Sequence, residues 1–315
     1  MDMSESRHMA AALRGEMREH EPMSRHVSWR AGGHARRAYL PVDLEDLAAF
    51  LRSLPASEPV LMVGLGSNFL VRDGGYDGTV VFTHRALGGL RIAAGDTGPM
   101  VVTAQAGVPC PKLARRTAML DLAGAEFMAG IPGTVGGALA MNAGCYGGET
   151  WRIVSQVQTV NRRGEFRARR PSDYVIGYRH VALRPESKLS SGADEEWFVA
   201  ANFALNHGDG AVSRASIKDF LARRIAAQPL GEPNAGSVFR NPPGDHAARL
   251  IEACGLKGRV QGRAEISQKH ANFIVNRGGA SAADIEYLIA LARETVEQRF
   301  AITLEAEVRI VGVPA

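Results

Sequence analysis

Between Gly130 and Gly148, seven of nineteen residues are glycine and none is charged. Such a stretch is a poor helix or strand along most of its length, because each interior glycine costs roughly 0.5–1 kcal/mol relative to alanine. It makes instead a backbone-rich, concave surface of tight turns, suited to a neutral, flat ring beside a pyrophosphate. A shorter cluster, Gly64-Leu65-Gly66-Ser67-Asn68-Phe69, directly follows the apolar run Val60–Val63, which reads as a strand. Its backbone N–H groups can converge on phosphate oxygens, and Ser67 and Asn68 add side-chain donors. Taken alone, either cluster could equally be turns in a small-residue core. Neither is a standard nucleotide fingerprint. Position 69 is Phe where a dinucleotide motif needs its third glycine, and LVRDGG follows rather than a helix. No Gly-Lys-Ser/Thr closes the longer cluster, as a phosphate loop requires.

Composition narrows the class. The 35 glycines in 315 residues exceed the usual ~7% and are clustered rather than periodic. With 45% hydrophobic and 22% charged residues, the chain is a globular protein of two domains, or three small ones. No run approaches the ~20 apolar residues of a membrane helix. The net charge is +4, and the only lysines are Lys112, Lys188, Lys218, Lys257 and Lys269. Arginine suits carboxylate and phosphate, although the excess could equally be a solvated surface. Acidic residues are interleaved throughout and only 6% of residues are aromatic, so neither a basic stripe nor a stacking platform for nucleic acid is present. Cys110, Cys145 and Cys254 form no CxxC pair, which points to reduced thiols, no metal site and no disulfide. The N-terminus MDMSESRHMAAALRGEM lacks the apolar core and cleavage site of a secretory signal, so a cytoplasmic location is expected.

Along the chain, residues 1–25 read as a polar arm, loosely helical over Ala10–Glu19 at most. A helix is expected over Leu44–Leu54 and strands at Val60–Val63 and Thr79–Phe82. Short strands then dominate: Leu90–Ala93, Val101–Ala104, Val154–Asn161, Glu165–Arg169 and Trp197–Leu205, interrupted by a helix at Pro111–Leu122. Helices return at Ser213–Ala227, Asp245–Cys254 and Ser281–Phe300, the last opened by a Ser281/Asp284 capping box. Its stripe of Ile285, Leu288, Ile289, Ala292 and Val296 reads as core. Strands fit at Ala264–Ser267, Phe273–Asn276 and Val308–Val311. The turn-rich HGDGAVS at 207–213 suggests a boundary. The chain is expected to be α+β.

Six ordered blocks carry a resemblance: GLGSNFLV, GIPGTVGGALAMNAGCYGGE, GYR, AGSVFRNP, SQKHANFIVN and LEAEVRIVG. Spread over residues 28–312, they resemble the UDP-N-acetylenolpyruvoylglucosamine reductase (MurB) family, in its shorter, type II-like subgroup. The resemblance implies a two-subdomain FAD-binding fold of the vanillyl-alcohol oxidase type plus a C-terminal α+β substrate-binding domain. The implied division is 1–25 arm, 26–85 and 86–210 FAD-binding subdomains, and 211–315 substrate domain. It also implies non-covalent FAD, NADPH as reductant and UDP-N-acetylglucosamine enolpyruvate as substrate. The product would be UDP-N-acetylmuramate, for peptidoglycan precursor synthesis. A monomer without nucleic-acid or membrane partners is expected.

The implied chemistry sends a hydride to C3 of the enolpyruvyl group and a proton to C2. Charge develops on the attached carboxylate and must be stabilised. The resemblance assigns Arg179 to that carboxylate, Glu307 to a protonated hydrogen-bond donor, and Ser237 to the proton donor at C2. Glu305 competes with Glu307 on sequence alone. Flavin contacts fall on Gly64, Gly66, Ser67, Asn68, Phe69, Gly130, Ile131, Pro132, Gly133, Thr134, Gly136, Gly137, Asn142 and Gly144. Substrate contacts fall on Tyr178, Arg240, Asn241 and His270. Without the resemblance, Arg179 reads as a surface ion pair, Glu307 as an exposed strand residue, Ser237 as a turn hydroxyl and His270 as a structural histidine. There are departures. The family often reads Tyr-Arg-x-Ser, whereas His180 and Val181 follow Arg179 here. No extra tyrosine-bearing loop is evident between Arg179 and Trp197. Nicotinamide and substrate are expected to share one cleft, giving ping-pong kinetics. The alternatives are another FAD-dependent oxidoreductase on the same fold, such as a sugar or alcohol oxidase, and a non-enzymatic flavin-binding relative.

Overall fold

The computed structural model describes residues 13–93, 99–187 and 195–315. The chain is α+β, as expected, and its described residues build three sheet-centred layers. In the first, β3 (Val60–Val63) and β2 (His34–Leu40) flank β5 (Tyr76–Phe82) in parallel, and β1 (Glu16–Pro22) runs antiparallel on the outer edge of β2. The connection α1 (Leu44–Ser53) is opened by the Asp43 side chain, which accepts from Asp46 N–H at 2.9 Å. Its apolar face of Leu47, Phe50 and Leu51 is buried with Tyr39, Val60 and Val81.

Residues 1–25 are expected to be disordered or a weakly docked arm; the loose helix allowed for over Ala10–Glu19 is not found in its described part, because Glu16 already begins β1. Residues 10–12 of that range lie outside the described residues. β1 is nearly all polar and mostly exposed, so no apolar alternation announces it. Backbone pairing makes the strand, and two hydrogen bonds pin its start: Gly15 N–H to Tyr39 Oη at 3.0 Å and Arg14 N–H to Asp46 Oδ1 at 2.8 Å. The second part of the arm is therefore docked on the first layer.

The second layer is an antiparallel sheet in the order β12 (Phe166–Arg169), β11 (Val154–Asn161), β15 (Glu196–His207), β7 (Met100–Gln105), β6 (Leu90–Ala93). The short β8 (Leu122–Ala123) pairs with the end of β15. Val102, Ala104 and Phe203 of this sheet are buried with Leu113 of α2 (Cys110–Ala118) and with Val135 and Leu139 of α3 (Val135–Ala140). Ile217 and Leu221 of α4 (Gly210–Ala227) join the same core. This helix, which follows the boundary expected at 210/211, packs on the second layer.

The third layer has the antiparallel strands β16 (Val260–Gln261), β17 (Ala264–Ile266) and β18 (Ile274–Asn276), with α5 (Ala247–Ala253) and α6 (Ala282–Phe300). The capping box of α6 is present: Asp284 N–H donates to Ser281 Oγ at 3.0 Å and Ser281 N–H to Asp284 Oδ2 at 3.1 Å. The whole expected stripe of α6 is buried. The last strand, β19 (Arg309–Val311), leaves this layer and pairs in parallel with β4 (Phe69–Val71). Trp29, fully buried, enters the third core and donates its indole N–H to Ile274 O at 2.7 Å. The first and third layers are therefore stitched together at both ends of the chain. Among the described residues no helix is long and apolar enough to cross a membrane, and no group of His, Cys, Asp and Glu could hold a metal.

Candidate active site

The two glycine clusters meet. A Cβ on Gly64 would fall 2.3 Å from Thr134 Oγ1, and one on Gly133 would lie 3.4 Å from Ser67 Oγ. Gly66 has φ +61°, and its carbonyl accepts from Ser28 N–H at 3.1 Å. The second cluster is laid along the β7–α2 connection by Val135 N–H to Val108 O and Gly136 N–H to Ala106 O, both 2.9 Å. Contrary to the expected run of turns, its middle is the short helix α3. Gly136 permits this by close packing, since a Cβ there would sit 2.9 Å from Ala106 Cβ. Gly130, Ile131, Gly133 and Thr134 are buried, whereas Pro132 and Gly137 are exposed. The surface is backbone and short hydroxyl side chains, with no acid in either cluster. That chemistry fits an uncharged ring carrying a pyrophosphate, and so fits FAD.

One cation beneath this surface gave no signal in the sequence. Arg224, in α4, donates from Nη1 to Gly130 O at 2.8 Å and from Nε to Gln228 Oε1 at 2.8 Å. Burial pulls its pKa below the usual arginine value.

The catalytic candidates come from three distant stretches. Arg179 sits in the turn between β13 (Tyr174–Gly177) and β14 (His180–Leu183), with φ +53°, a left-handed conformation uncommon for a non-glycine residue. Its Nη2 donates to Gly144 O at 3.3 Å, next to the hairpin formed by β9 (Gly144–Cys145) and β10 (Gly148–Glu149). Its Nε lies 2.7 Å from Glu307 Oε1, although that N–H is not aimed at the oxygen. Burial raises the pKa of Glu307 above the ordinary carboxylate value, against the opposing pull of Arg179 and Arg240. Glu305 is the more exposed of the two glutamates and pairs with Arg240 at 3.5 Å. Ser237 is half-buried and, among the described residues, its hydroxyl has no hydrogen-bond partner. It adjoins Val238, whose carbonyl accepts Glu307 N–H at 2.7 Å. Arg179 and Glu307 are thus in contact, and Ser237 is joined to them through one backbone hydrogen bond.

The substrate candidates surround this group. Arg240 Nη2 donates to Arg179 O at 3.2 Å, while its buried Nε lacks an aligned acceptor. Arg179 and Arg240 thus bring two guanidinium groups together, each with a buried Nε–H that has no aligned acceptor. The Arg179 guanidinium lies 5.5 Å from the ring centroid of Tyr178, which is 52% exposed. Asn241 uses its Oδ1 to cap α5, accepting Ala247 N–H at 3.1 Å. His270 Nδ1 accepts Asn272 N–H at 3.3 Å, and burial lowers the ring's pKa; the neutral ring then carries its proton on Nε2.

Two expected flavin residues also bond within the protein. Asn142, 2% exposed, donates from Nδ2 to Gly177 O at 3.1 Å and to Glu149 Oε2 at 3.3 Å, and its Oδ1 accepts Trp151 N–H at 3.1 Å. Its side chain is thus bonded to the strand that leads into the Arg179 turn. Asn68 donates from Nδ2 to Glu307 O at 3.0 Å, linking the first glycine cluster to the catalytic group. Phe69 stacks under the Arg309 guanidinium at 5.3 Å as part of β4. Residues 188–194, within the stretch read as lacking a tyrosine-bearing loop, lie outside the described residues. Two other concavities hold none of the catalytic candidates: one of about 310 Å³ on the second sheet beside Thr103, Gln156 and Asn202, and an apolar one of about 460 Å³ between α2 and α4.

Known proteins bear on this site directly. A family model described as the UDP-N-acetylenolpyruvoylglucosamine reductase C-terminal domain matches residues 228–311, and one described as an FAD binding domain matches residues 35–168. A UDP-N-acetylenolpyruvoylglucosamine reductase from Nitrosospira multiformis is 58% identical over 329 aligned positions, covering 100% of this chain and 94% of that protein. One from Thiobacillus denitrificans is 57% identical, covering 96% and 94% respectively. The crystal structure of the Thermus caldophilus reductase is similar with a TM-score of 0.76 at 28% identity, covering 96% of this chain and all of that one. The chain, with its FAD-binding domain and its reductase C-terminal domain, belongs to the UDP-N-acetylenolpyruvoylglucosamine reductase family.

Proposed function

We propose that this protein reduces UDP-N-acetylglucosamine enolpyruvate to UDP-N-acetylmuramate with NADPH as reductant, in the cytoplasm, as a step of peptidoglycan precursor synthesis. The observation that carries this reading is the convergence of Arg179, Glu307 and the Ser237–Arg240 segment beside the two glycine clusters. The backbone and hydroxyls of Gly64, Gly66, Ser67, Gly130–Thr134, Gly136, Gly137 and Gly144 would hold FAD. Bound there, FAD supplies the hydride delivered to C3.

The chain's own side chains then manage charge and protons. Arg179 meets the substrate carboxylate and stabilises the negative charge that grows on it. In doing so it is drawn from Glu307, whose carboxyl is left buried beside a second anion. Both effects favour its protonated form, which can donate a hydrogen bond to that carboxylate. Ser237 gives the proton to C2. Serine is a weak acid, but a carbanion-like C2 is basic enough to take its proton when the hydroxyl is held against it. Arg240, Tyr178, the Nδ2 group of Asn241 and the Nε2–H of neutral His270 would bind the diphosphate and sugar. We place residues 14–85 in a first FAD-binding subdomain, the second through α4, and the substrate domain from residue 228 onward.

The test is the absorption spectrum of the purified protein under anaerobic conditions. A yellow flavin band that NADPH bleaches and the enol ether restores is the expected result. A band that bleaches but returns only with oxygen contradicts the proposal.

A further inference from the structure

Each of the three catalytic segments is irregular backbone: a tight turn, an extended loop, and an isolated bridge between Phe239 and Ala306. The Ser237–Arg240 and Glu307 segments meet only at that bridge, and the Arg179 turn closes the short β13–β14 ladder. An asparagine side chain bonds to each of them. Asn272, 3% exposed, treats Phe239 as a strand neighbour would: Phe239 N–H donates to its Oδ1 at 2.9 Å and its Nδ2 donates to Phe239 O at 2.8 Å. Its carbonyl also accepts Val238 N–H at 2.9 Å, and its own N–H donates to His270 Nδ1. Ser237 and Arg240 flank this clamped pair. Asn142 holds Gly177, two residues before Arg179, and Asn68 holds the carbonyl of Glu307.

We infer that Asn272, Asn142 and Asn68 are positioning residues, each clamping the backbone of one catalytic segment: Ser237–Arg240, the Arg179 turn and Glu307 respectively. This rests on the functional reading above. At Asn272 an amide is required because it offers a donor and an acceptor side by side to one residue; aspartate keeps the acceptor and sets a charge against a carbonyl. Asn161 provides an internal comparison. It is fully buried and equally bonded, to Arg163 N–H, Glu165 N–H and Glu165 Oε2, but it organises the β11–β12 turn of the second sheet.

The experiment compares Asn272→Ala, Asn272→Asp, Asn142→Ala and Asn161→Ala in the FAD-loaded protein, with Ser237→Ala alongside. Flavin reduction by NADPH and flavin reoxidation by the enol ether are followed separately, together with FAD affinity and amide hydrogen exchange over residues 236–241. A displaced catalytic group costs up to ~100-fold. Both Asn272 variants and Asn142→Ala are expected to slow reoxidation at least about tenfold while reduction stays within about twofold. Asn272→Ala should also speed exchange at Phe239, and Asn142→Ala should leave FAD affinity within about threefold. Asn161→Ala should lower thermal stability without splitting the two half-reactions. Equal loss in both half-reactions, unchanged reoxidation, or a tenfold-weakened FAD in Asn142→Ala overturns the inference. If Asn272→Ala does not fold, the Asp variant decides on the same criteria. Normal reoxidation in Ser237→Ala overturns the functional reading, and this inference with it.

Discussion

Glu307 shows how position decides the meaning of a residue. Two glutamates two residues apart, Glu305 and Glu307, look alike in the sequence. The fold separates them: Glu305 lies exposed beside Arg240, and Glu307 is buried against Arg179. Its raised pKa has two consequences. If the protonated carboxyl is the working form, substrate-dependent flavin reoxidation falls as pH rises through that raised value. The same shift means the folded state holds a proton that the unfolded chain has released, so its contribution to stability is lost as pH rises above the ordinary value of 4.5. Glu307→Gln keeps a donor, though a weaker one than a carboxylic acid, and has no charge to titrate. It should flatten that limb of the pH profile and slow reoxidation by roughly tenfold or more, measured by stopped flow. A normal rate in this variant would shift the role to Glu305. Short motifs point to Arg179, Ser237 and Glu307, and the fold brings Arg179 and Glu307 into contact. The asparagines that hold them were not, because a buried amide leaves no spacing pattern; only the fold shows that Asn272 and Phe239 are partners.

At the level of elements, apolar periodicity and capping chemistry located most of the structure. Val60–Val63 and Val154–Asn161 are strands over the expected spans, and α6 begins at the expected cap. The misses share a cause. β1 is a polar edge strand, α3 is helical despite two glycines, and the β13–β14 hairpin turns through Tyr178 and Arg179 without a glycine in the left-handed position. In each, tertiary contacts outweigh local preference. The glycine clusters behave in the opposite way: local composition is dictated by what must fit beside it. Gly64→Ala places a methyl 2.3 Å from Thr134 Oγ1, and Thr134 is itself buried and has little room to retreat. The variant should force the two loops apart and weaken FAD binding by about tenfold or more, read by fluorescence titration of the apoprotein. Retention of wild-type affinity would show that the loops do not define the flavin surface together.

For the whole molecule, the connections between layers matter more than any one layer. β4 begins at the last residue of the first glycine cluster, and its parallel partner β19 begins two residues after Glu307. The proposed cofactor loop and the proposed catalytic carboxylate therefore adjoin two paired strands, and Asn68 reinforces the join. Trp29 makes the same connection from the other end of the chain. Trp29→Phe keeps most of the packing but leaves Ile274 O without its donor in a buried site, which costs about 1–3 kcal/mol. Chemical denaturation should register that loss, with flavin stoichiometry unchanged; an unaltered midpoint would mean this contact is not a structural tie. The coarse class was legible from composition and alternation. The layer boundary was not, because α4 follows a turn-rich segment yet packs backward onto the second core.

The central claim is that one cluster, built from three distant stretches, handles the substrate's charge and proton while the glycine loops hold the flavin. Anaerobic stopped-flow measurement of Ser237→Ala tests it most directly, with NADPH and the enol ether supplied in separate mixes. Flavin bleaching by NADPH at close to the wild-type rate, followed by reoxidation slowed by ~100-fold or more, is the expected result. Equal slowing of both steps, or reoxidation at the wild-type rate, would contradict it.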